Sequence, residues 1–587
     1  MKAGLLAFGA LIWAAPGFAQ DPLAPLSEDQ AAEAPGEAPA VVQQAPVITP
    51  PPPIAPVVAV PRDWRGVFDA LYSGNWASAR AGIYALPPSV ITPVAKAELY
   101  TAKDSPVVDL ASIQALLAEA PDLPQAAQLA AMALRRGALT SPPIVPTRRL
   151  YNLGSAPVRY RARAVAGEPA ADALRAALDP YVKANDHAGA EAELLVAAPQ
   201  LSVEARAEAG QRVAWIFYVN GLDLDARRVA DTWRQGAQGE WASQAAWVSA
   251  LASWRMGDCN SASQAFQQTA ALAQQRELRA GALYWAARAE QACRRPRSVE
   301  PLLKAAAASA ESFYGLLARQ TLGMETKLPP DPNIGRDPSI DNLPNVRRAM
   351  ELARIGETPL AEEMLRHQAK IGSPAEHHAL IQLAKRLELP AAQLWLANNG
   401  QWGAIADAAD RYPNPSWNPL NGWRVDPALA YGHIVQESAF RRTAVSHAGA
   451  VGLMQVLPVT AQLVSRNRGV PYSRSVLTDP RYNLEYGQSF IEMMRGNPGT
   501  AGQLPRVIAS YNAGPLPVAR WATINDKGDP LLWIESIPYW ETRYYVPSVL
   551  RNMWVYQGLN RQDTPTLKAM AEHHWPTFPT SMTRLQH

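Results

Sequence analysis

The run Trp247-Val248-Ser249-Ala250-Leu251-Ala252-Ser253-Trp254-Arg255-Met256-Gly257-Asp258 decides the fold class. Trp247, Leu251 and Trp254 recur at i, i+4 and i+7, which puts three large apolar side chains on one face of a helix. Gly257-Asp258 then stops that helix. Further on, Ala282, Ala286, Ala289 and Cys293 repeat the spacing, and their helix ends before Pro296. The phrases around Trp247 and Trp285 are weakly self-similar, at a spacing close to the ~34 to 45 residues of helical-pair repeats. Small alanines on the buried face let helices approach closely. The expected architecture is all-α, led by an α-solenoid of stacked helix hairpins.

Working outward, residues 63–325 share this composition: Ala, Leu, Arg, Glu and Gln, cut by Gly and Pro at helix-ending intervals. They are expected to form one superhelical domain. Cys259 begins one helix of a pair and Cys293 ends the next, so an antiparallel hairpin sets them side by side. A disulfide between them suits an oxidising compartment, with two separate buried thiols as the alternative. No histidine lies nearby in sequence to make them a metal site.

The chain has 587 residues, 55 basic against 52 acidic. That length calls for three or more domains, and the near-neutral balance excludes the basic field of a dedicated nucleic-acid binder. With 48% hydrophobic and 18% charged residues the chain is foldable, and two cysteines exclude a disulfide framework or zinc-finger array. Met1-Lys2, the apolar run Ala3 to Ala15 and the small residues of Gly17-Phe18-Ala19 read as a signal peptide cleaved after Ala19. The alternative is an N-terminal anchor, but the run is shorter than the ~20 residues a spanning helix needs. No later stretch suits a transmembrane segment. The mature protein is expected to be exported, to a bacterial periplasm. Residues 20–62, with Pro50-Pro51-Pro52-Pro53 at their centre, read as a tether that favours polyproline II.

Beyond the first array, Pro329-Pro330-Asp331-Pro332 marks a break. A small helical domain follows over 338–412, with Val346, Met350, Leu352 and Ala353 on one apolar face and Leu380, Leu383 and Leu387 on another. Pro413, Pro415 and Pro419 separate it from a last domain over 415–565. Residues 566–587 read as a solvated tail: His573-His574 has no third ligand at metal spacing, and no HExxH or phosphate-cradling glycine loop occurs.

The chemistry points to the last domain. Asp426-Pro427 starts a helix, Asp as cap and Pro preorganised behind it. Glu437 lies near its end, on or beside a face carrying Leu429, Ala430, Ile434 and Phe440. A carboxylate there must be paired, solvated in a cleft or protonated. Desolvation and the negative end of the helix dipole both push its pKa upward, as a general acid near neutral pH requires. The structural alternative is a buried ion pair with Arg441 or Arg442. Gly449 and Gly452 permit a loop that approaches a ligand closely, and Gln455 adds a donor and an acceptor. Tyr511-Asn512 and the aromatic-rich Glu535 to Val546 complete a set suited to a sugar ring, with hydroxyls and acetamido groups hydrogen-bonded and C–H faces stacked.

The run Gln436-Glu437-Ser438-Ala439-Phe440, the loop Gly452-Leu453-Met454-Gln455, the element Tyr511-Asn512-Ala513-Gly514 and the final Glu541-Thr542-Arg543-Tyr544-Tyr545-Val546 resemble the soluble lytic transglycosylases. The resemblance covers about Asn418 to Gly558 and implies a lysozyme-like catalytic domain. Upstream it is architectural: superhelix, small helical linker domain, and Phe313 to Ala318 similar to that family's usual end of the superhelix. It implies that Glu437 is the single catalytic acid. It implies substrate-binding roles for Ser438, Met454, Gln455, Tyr511, Asn512, Glu535, Glu541 and Tyr545. No cofactor and no metal are implied. The implied partners are peptidoglycan glycan strands, with cell-wall synthesis or secretion-machinery proteins as further candidates for the superhelix. Val435 stands where Arg is usual, Ser510 where Ala is usual and Tyr544 where Gly is common. The implied reaction cleaves the β-1,4 bond between N-acetylmuramic acid and N-acetylglucosamine and leaves 1,6-anhydro ends, where ordinary retaining glycosidases use a second carboxylate. Glu485, Glu492 and Asp479 are in the same domain, and the residues alone do not dismiss them. A muramidase on the same fold and a non-catalytic glycan-binding scaffold are the rival readings.

Overall fold

Gly and Pro punctuation between alanine-rich runs produces an almost entirely helical chain. The computed structural model describes residues 58–328 and 335–579. The signal-peptide reading, the Pro-rich tether up to residue 57, the break at Pro329 to Pro332 and the tail residues 580–587 lie outside them. No helix of the described residues is long and apolar enough to cross a membrane.

The described residues divide into two compact units, one running to residue 143 and the other comprising 122–124 and 144–579. The first holds helices α1 (Trp64–Tyr72), α2 (Trp76–Ala85), α3 (Thr92–Thr101), α4 (Leu110–Glu119) and α5 (Ala126–Arg135). Three of them are capped by the side chain before their first residue: Asp63, Asn75 and Asp109 accept from backbone N–H groups three residues on. Phe68, Ile83, Ile91, Val94 and Leu116 are buried in this unit.

The second unit opens with an extended segment, residues 144–168, before its first helix. Pro146 and Pro157 keep this stretch out of helix, and Pro142 and Pro143 stand just before it. The 63–325 region, read above as one superhelix, is therefore divided near residue 143. Helices α6 (Pro169–Ala184), α7 (His187–Ala197), α8 (Val203–Val219), α9 (Asp223–Trp233), α10 (Gly239–Met256), α11 (Cys259–Leu272), α12 (Arg276–Ala292), α13 (Pro296–Ala307) and α14 (Phe313–Thr321) follow. From α8 onward each packs extensively on the next, as stacked hairpins do. The periodic residues Trp247 and Leu251 are buried on α10, and Trp285 is fully buried on α12. Cys259 and Cys293, with Cα atoms 5.6 Å apart, are joined in a disulfide that ties the start of α11 to the end of α12.

The linker block comprises α15 (Pro344–Arg354), α16 (Thr358–Ile371), α17 (His377–Arg386) and α18 (Pro390–Asn398). Just after α18, strand β2 (Asn399–Gly400) pairs antiparallel with β1 (Tyr151–Asn152) of the extended segment. The last domain holds α19 (Pro427–Glu437), α20 (Pro458–Arg468), α21 (Pro480–Arg495), α22 (Leu504–Ala513), α23 (Pro515–Arg520), α24 (Pro530–Glu535) and α25 (Trp540–Leu559).

Within the second unit, the helical array grips this last domain with specific contacts. Phe313 stacks on Trp554 with ring centroids 5.2 Å apart, and the Tyr218 and Ser536 hydroxyls meet at 2.8 Å. Arg288 pairs with Asp529 at 2.7 Å. The expected solvated tail is instead docked as far as it is described. Helix α26 (Pro565–Ala571) buries Leu567 and Met570 and packs on α14. His573 lies 3.3 Å from the Tyr284 hydroxyl. Beyond it, the Leu504 amide donates to the Pro576 carbonyl and the Phe578 amide to the Gly502 carbonyl, each at 3.0 Å. Leu567 and Met570, three residues apart, supply the apolar face that makes docking favourable.

Candidate active site

Helix α19 starts where Asp426 accepts from the Ala428 amide at 2.8 Å, with Pro427 as its first residue. It lies close against α25 because Gly432 faces that helix: a Cβ there would sit 3.0 Å from the Val549 carbonyl. Asn552 on α25 also donates to the Gly432 carbonyl at 3.2 Å. This approach brings the end of α19 to Tyr545, whose hydroxyl donates to Oε1 of Glu437 at 2.5 Å.

Glu437 is half-buried: recessed among protein groups, with one side still open to solvent. Burial pushes its carboxyl up to about 8, the negative charge of Glu541 adds to the rise, and the Tyr545 hydrogen bond opposes it. Among the described residues, the two arginines nearest in sequence do not neutralise it. Arg441 donates to the Ser438 carbonyl at 3.1 Å, and Arg442 lies over the Trp417 ring at 4.9 Å. The ion-pair alternative weighed from the sequence is therefore not what forms. Just past the helix, Ala439 and Phe440 adopt φ of 49° and 65°, unusual for residues with a Cβ. The buried Phe440 ring, near Trp417 and Tyr431, holds this turn.

The loop from 449 to 455 is clamped by Asn483 on α21. Asn483 accepts from the Met454 amide at 2.7 Å and donates to the Val451 and Leu477 carbonyls at 2.9 and 2.8 Å. Gly452, at φ 83°, has no room for a Cβ beside that amide. Gln455, at φ 47°, donates from Nε2 to the Gly452 and Ala444 carbonyls at 2.8 and 3.1 Å. On α22, Tyr511 donates to the Met454 carbonyl at 2.7 Å. Asn512 donates to Glu541 at 3.2 Å and accepts from Thr542 at 2.6 Å. Glu437, Tyr511, Asn512 and Glu541 all keep partial exposure, whereas Tyr545 is buried behind them.

Gln455, expected to bind substrate, is buried with its Nε2 spent on its own loop, and three more such residues also turn inward. Glu535 is 1% exposed; it pairs with Arg159 at 2.8 Å and accepts from Tyr314 at 2.6 Å, so its carboxylate faces the helical array. The Met454 side chain is fully buried over Gly487, leaving its carbonyl as the part that meets Tyr511. Ser438 is fully buried, and its hydroxyl turns back toward the Ile434 carbonyl at 3.4 Å. Two partners were not singled out from the sequence. Thr542 orients the Asn512 amide. His433, one turn before Glu437 on α19, lies with Nδ1 2.7 Å from the Tyr545 hydroxyl. Its i−4 spacing from the acid was the available signal.

The other carboxylates of the domain are engaged elsewhere. Glu485 pairs with Arg424 at 2.7 Å, Glu492 with Arg424 and Arg468 at 3.0 and 2.9 Å, and Asp479 with Arg481 at 3.1 Å. Glu541 is the acidic group whose charge acts on Glu437. The site is thus one recessed, protonatable carboxyl held by a phenol, beside an amide, a second phenol and a second carboxylate.

Part of this domain matches a known family. Residues 418–534 match the Transglycosylase SLT domain family. The soluble lytic murein transglycosylase of Escherichia coli K12 is 29% identical over 286 residues, covering 44% of this chain and 41% of that protein. The membrane-bound lytic murein transglycosylase C of Mannheimia succiniciproducens is 36% identical over 106 residues, covering 16% of this chain and 29% of that protein. An inactive mutant of the lytic transglycosylase Slt from Pseudomonas aeruginosa has a similar fold, with a TM-score of 0.51 at 19% identity over 85% of this chain and 86% of that one. The chain spans less than half the length of the curated relatives it matches. The likeness to the Transglycosylase SLT domain family is thus confined to residues 418–534, the stretch that carries Glu437, Tyr511 and Asn512.

Proposed function

We propose that this protein is a peptidoglycan lytic transglycosylase of the periplasm, exported by the leader read at residues 1–19. The observation that carries the reading is Glu437: a recessed carboxyl with no cation beside it among the described residues, pushed up to about 8 by burial and held by Tyr545. Such a group is protonated at neutral pH, as a general acid must be.

Glu437 donates its proton to the glycosidic oxygen between N-acetylmuramic acid and N-acetylglucosamine, and the bond from C1 to that oxygen breaks. The muramoyl acetamido oxygen bonds to C1 as the leaving sugar departs. The C6 hydroxyl oxygen then bonds to C1 and displaces the acetamido oxygen, while the Glu437 carboxylate takes the hydroxyl proton. A 1,6-anhydro ring closes, water is not consumed, and the acid is regenerated. Tyr545 donates to the carboxylate formed between the two steps, a charge-assisted bond. The partly exposed Tyr511 and Asn512 are suited to position the sugar, and the charge of Glu541 favours the cationic transition state.

The test is product analysis of purified peptidoglycan digests. Wild type should release muropeptides with anhydro ends by mass spectrometry, and Glu437→Gln should lower the rate by about 10²–10⁴-fold. Cleavage by Glu437→Gln at the wild-type rate would end the assignment. The nearness of Glu541 favours a second reading, hydrolysis with paired carboxylates. Reducing rather than anhydro ends would select it.

A further inference from the structure

Behind Tyr545 lies a residue that the reaction as written does not use. His433 is 1% exposed, and its ring packs against Tyr511 with centroids 4.5 Å apart. Its Nδ1 is 2.7 Å from the Tyr545 oxygen, which is in turn 2.5 Å from Glu437 Oε1. His433, Tyr545 and Glu437 thus form one hydrogen-bonded row running from the core to the reacting carboxyl.

Proton counting restricts this row. A neutral imidazole has one N–H and one acceptor nitrogen, and a phenol has one proton. Burial keeps His433 neutral, holding its pKa down to about 3. With the proton on Nδ1, His433 donates to Tyr545 and Tyr545 donates to Oε1. The acid's own proton then sits on Oε2, the oxygen Tyr545 does not engage. With the proton on Nε2, Nδ1 becomes an acceptor and the Tyr545 proton turns to it. Oε1 must then supply the proton that fills the gap, directing it inward and away from any substrate. Once Glu437 has given up its proton, only the first polarity leaves the carboxylate a donor; the second sets a lone pair against a negative charge.

We propose that His433 is a positioning residue whose Nδ1–H fixes Tyr545 as a donor to Glu437 and so keeps the transferable proton on Oε2, the carboxyl oxygen that Tyr545 does not engage. This rests on the transglycosylase reading for its effect on rate, whereas the tautomer itself can be read without activity. The groups that face the carboxyl are Tyr545 and Glu541 from α25 and Tyr511 from α22. His433 stays neutral throughout the working range, so any pH effect of its removal is expressed through Glu437.

The experiment compares wild type, His433→Leu, His433→Asn, Tyr545→Phe and the Leu/Phe double variant on purified peptidoglycan across pH 5–10. His433→Leu should lower kcat roughly tenfold, the size of one charge-assisted hydrogen bond, with little change in KM. Its alkaline limb should move upward, because a carboxylate without a fixed donor ionises less readily. His433→Asn, which keeps an N–H near the Nδ1 position, should recover most of the loss. In the Tyr545→Phe background, His433→Leu should cost nothing more. Losses that multiply in the double variant, or a His433→Leu limb that stays in place, would overturn the proposal. Histidine-selective 15N labelling gives a readout that does not depend on turnover. The signal absent from His433→Asn should show a protonated Nδ1, and a protonated Nε2 would refute the assignment even if wild type proved to be a hydrolase or inactive.

Discussion

Glu535 and Arg159 form an ion pair 2.8 Å long with side chains 1% and 5% exposed, across 376 residues of sequence. Tyr314 donates to the same carboxylate, and the Arg159 guanidinium lies over Trp247 at 4.7 Å and Tyr544 at 5.1 Å. Removing one partner strands the other charge in the interior. Glu535→Ala should therefore destabilise the second unit by about 3–5 kcal/mol, and pairing it with Arg159→Met should return part of that loss. Denaturant unfolding of the three variants checks this. Anhydro product should still form wherever the variants stay folded.

A general acid is lost when it ionises. With Glu437 pushed up to about 8, kcat/KM should be flat near neutrality and fall tenfold per pH unit above about 8. Glu541 contributes to that high value through its negative charge. Glu541→Gln should move the limb to lower pH, and Tyr545→Phe, which removes a donor to the carboxylate, should move it higher. Initial rates of muropeptide release across the pH range decide both directions.

The same carboxyl has a stability signature. Its pKa rises from 4.5 to about 8 on folding, so between those values the folded state holds a proton that the unfolded chain has released. Its contribution is fully present below pH 4.5 and is lost as pH climbs through 8. Glu437→Gln has no proton to lose. The thermal midpoint of this variant should gain on wild type steadily from pH 5 to pH 8 and then level off. A constant difference between the two across that window would contradict the raised value.

Gly432 sets the spacing of α19 and α25. A methyl group 3.0 Å from the Val549 carbonyl forces one helix to move. Gly432→Ala should cost about 1–3 kcal/mol. It should also draw Tyr545 away from Glu437, lowering kcat more than KM. Melting curves and steady-state kinetics on the same preparation separate the two effects.

Local patterns were the legible part of the chain. The Trp247, Leu251 and Trp254 spacing depends only on neighbours within one helix, and the all-α reading followed from it. The split near residue 143 was hidden, because it is a sum of contacts between distant segments. Glu535 sits in a motif-rich stretch, but its direction is decided by Arg159 and Tyr314, both far upstream. Met454 shows the same limit: its side chain turns inward because Gly487 leaves a space on α21. The docking of α26 could be seen only once α14 offered a surface to receive Leu567 and Met570. His433 was nearer to reach, since one helical turn from an acid is a position worth inspecting.

Helix α25 lies wholly beyond residue 534, where the family match stops. Anyone excising a minimal enzyme by similarity alone would keep Glu437 and discard the phenol that holds it, together with the Glu541 carboxylate at its side. Such a fragment would carry an orphaned acid on a helix stripped of its backing. In this protein the smallest working piece has to be drawn along hydrogen bonds, not along the edges of a matched domain.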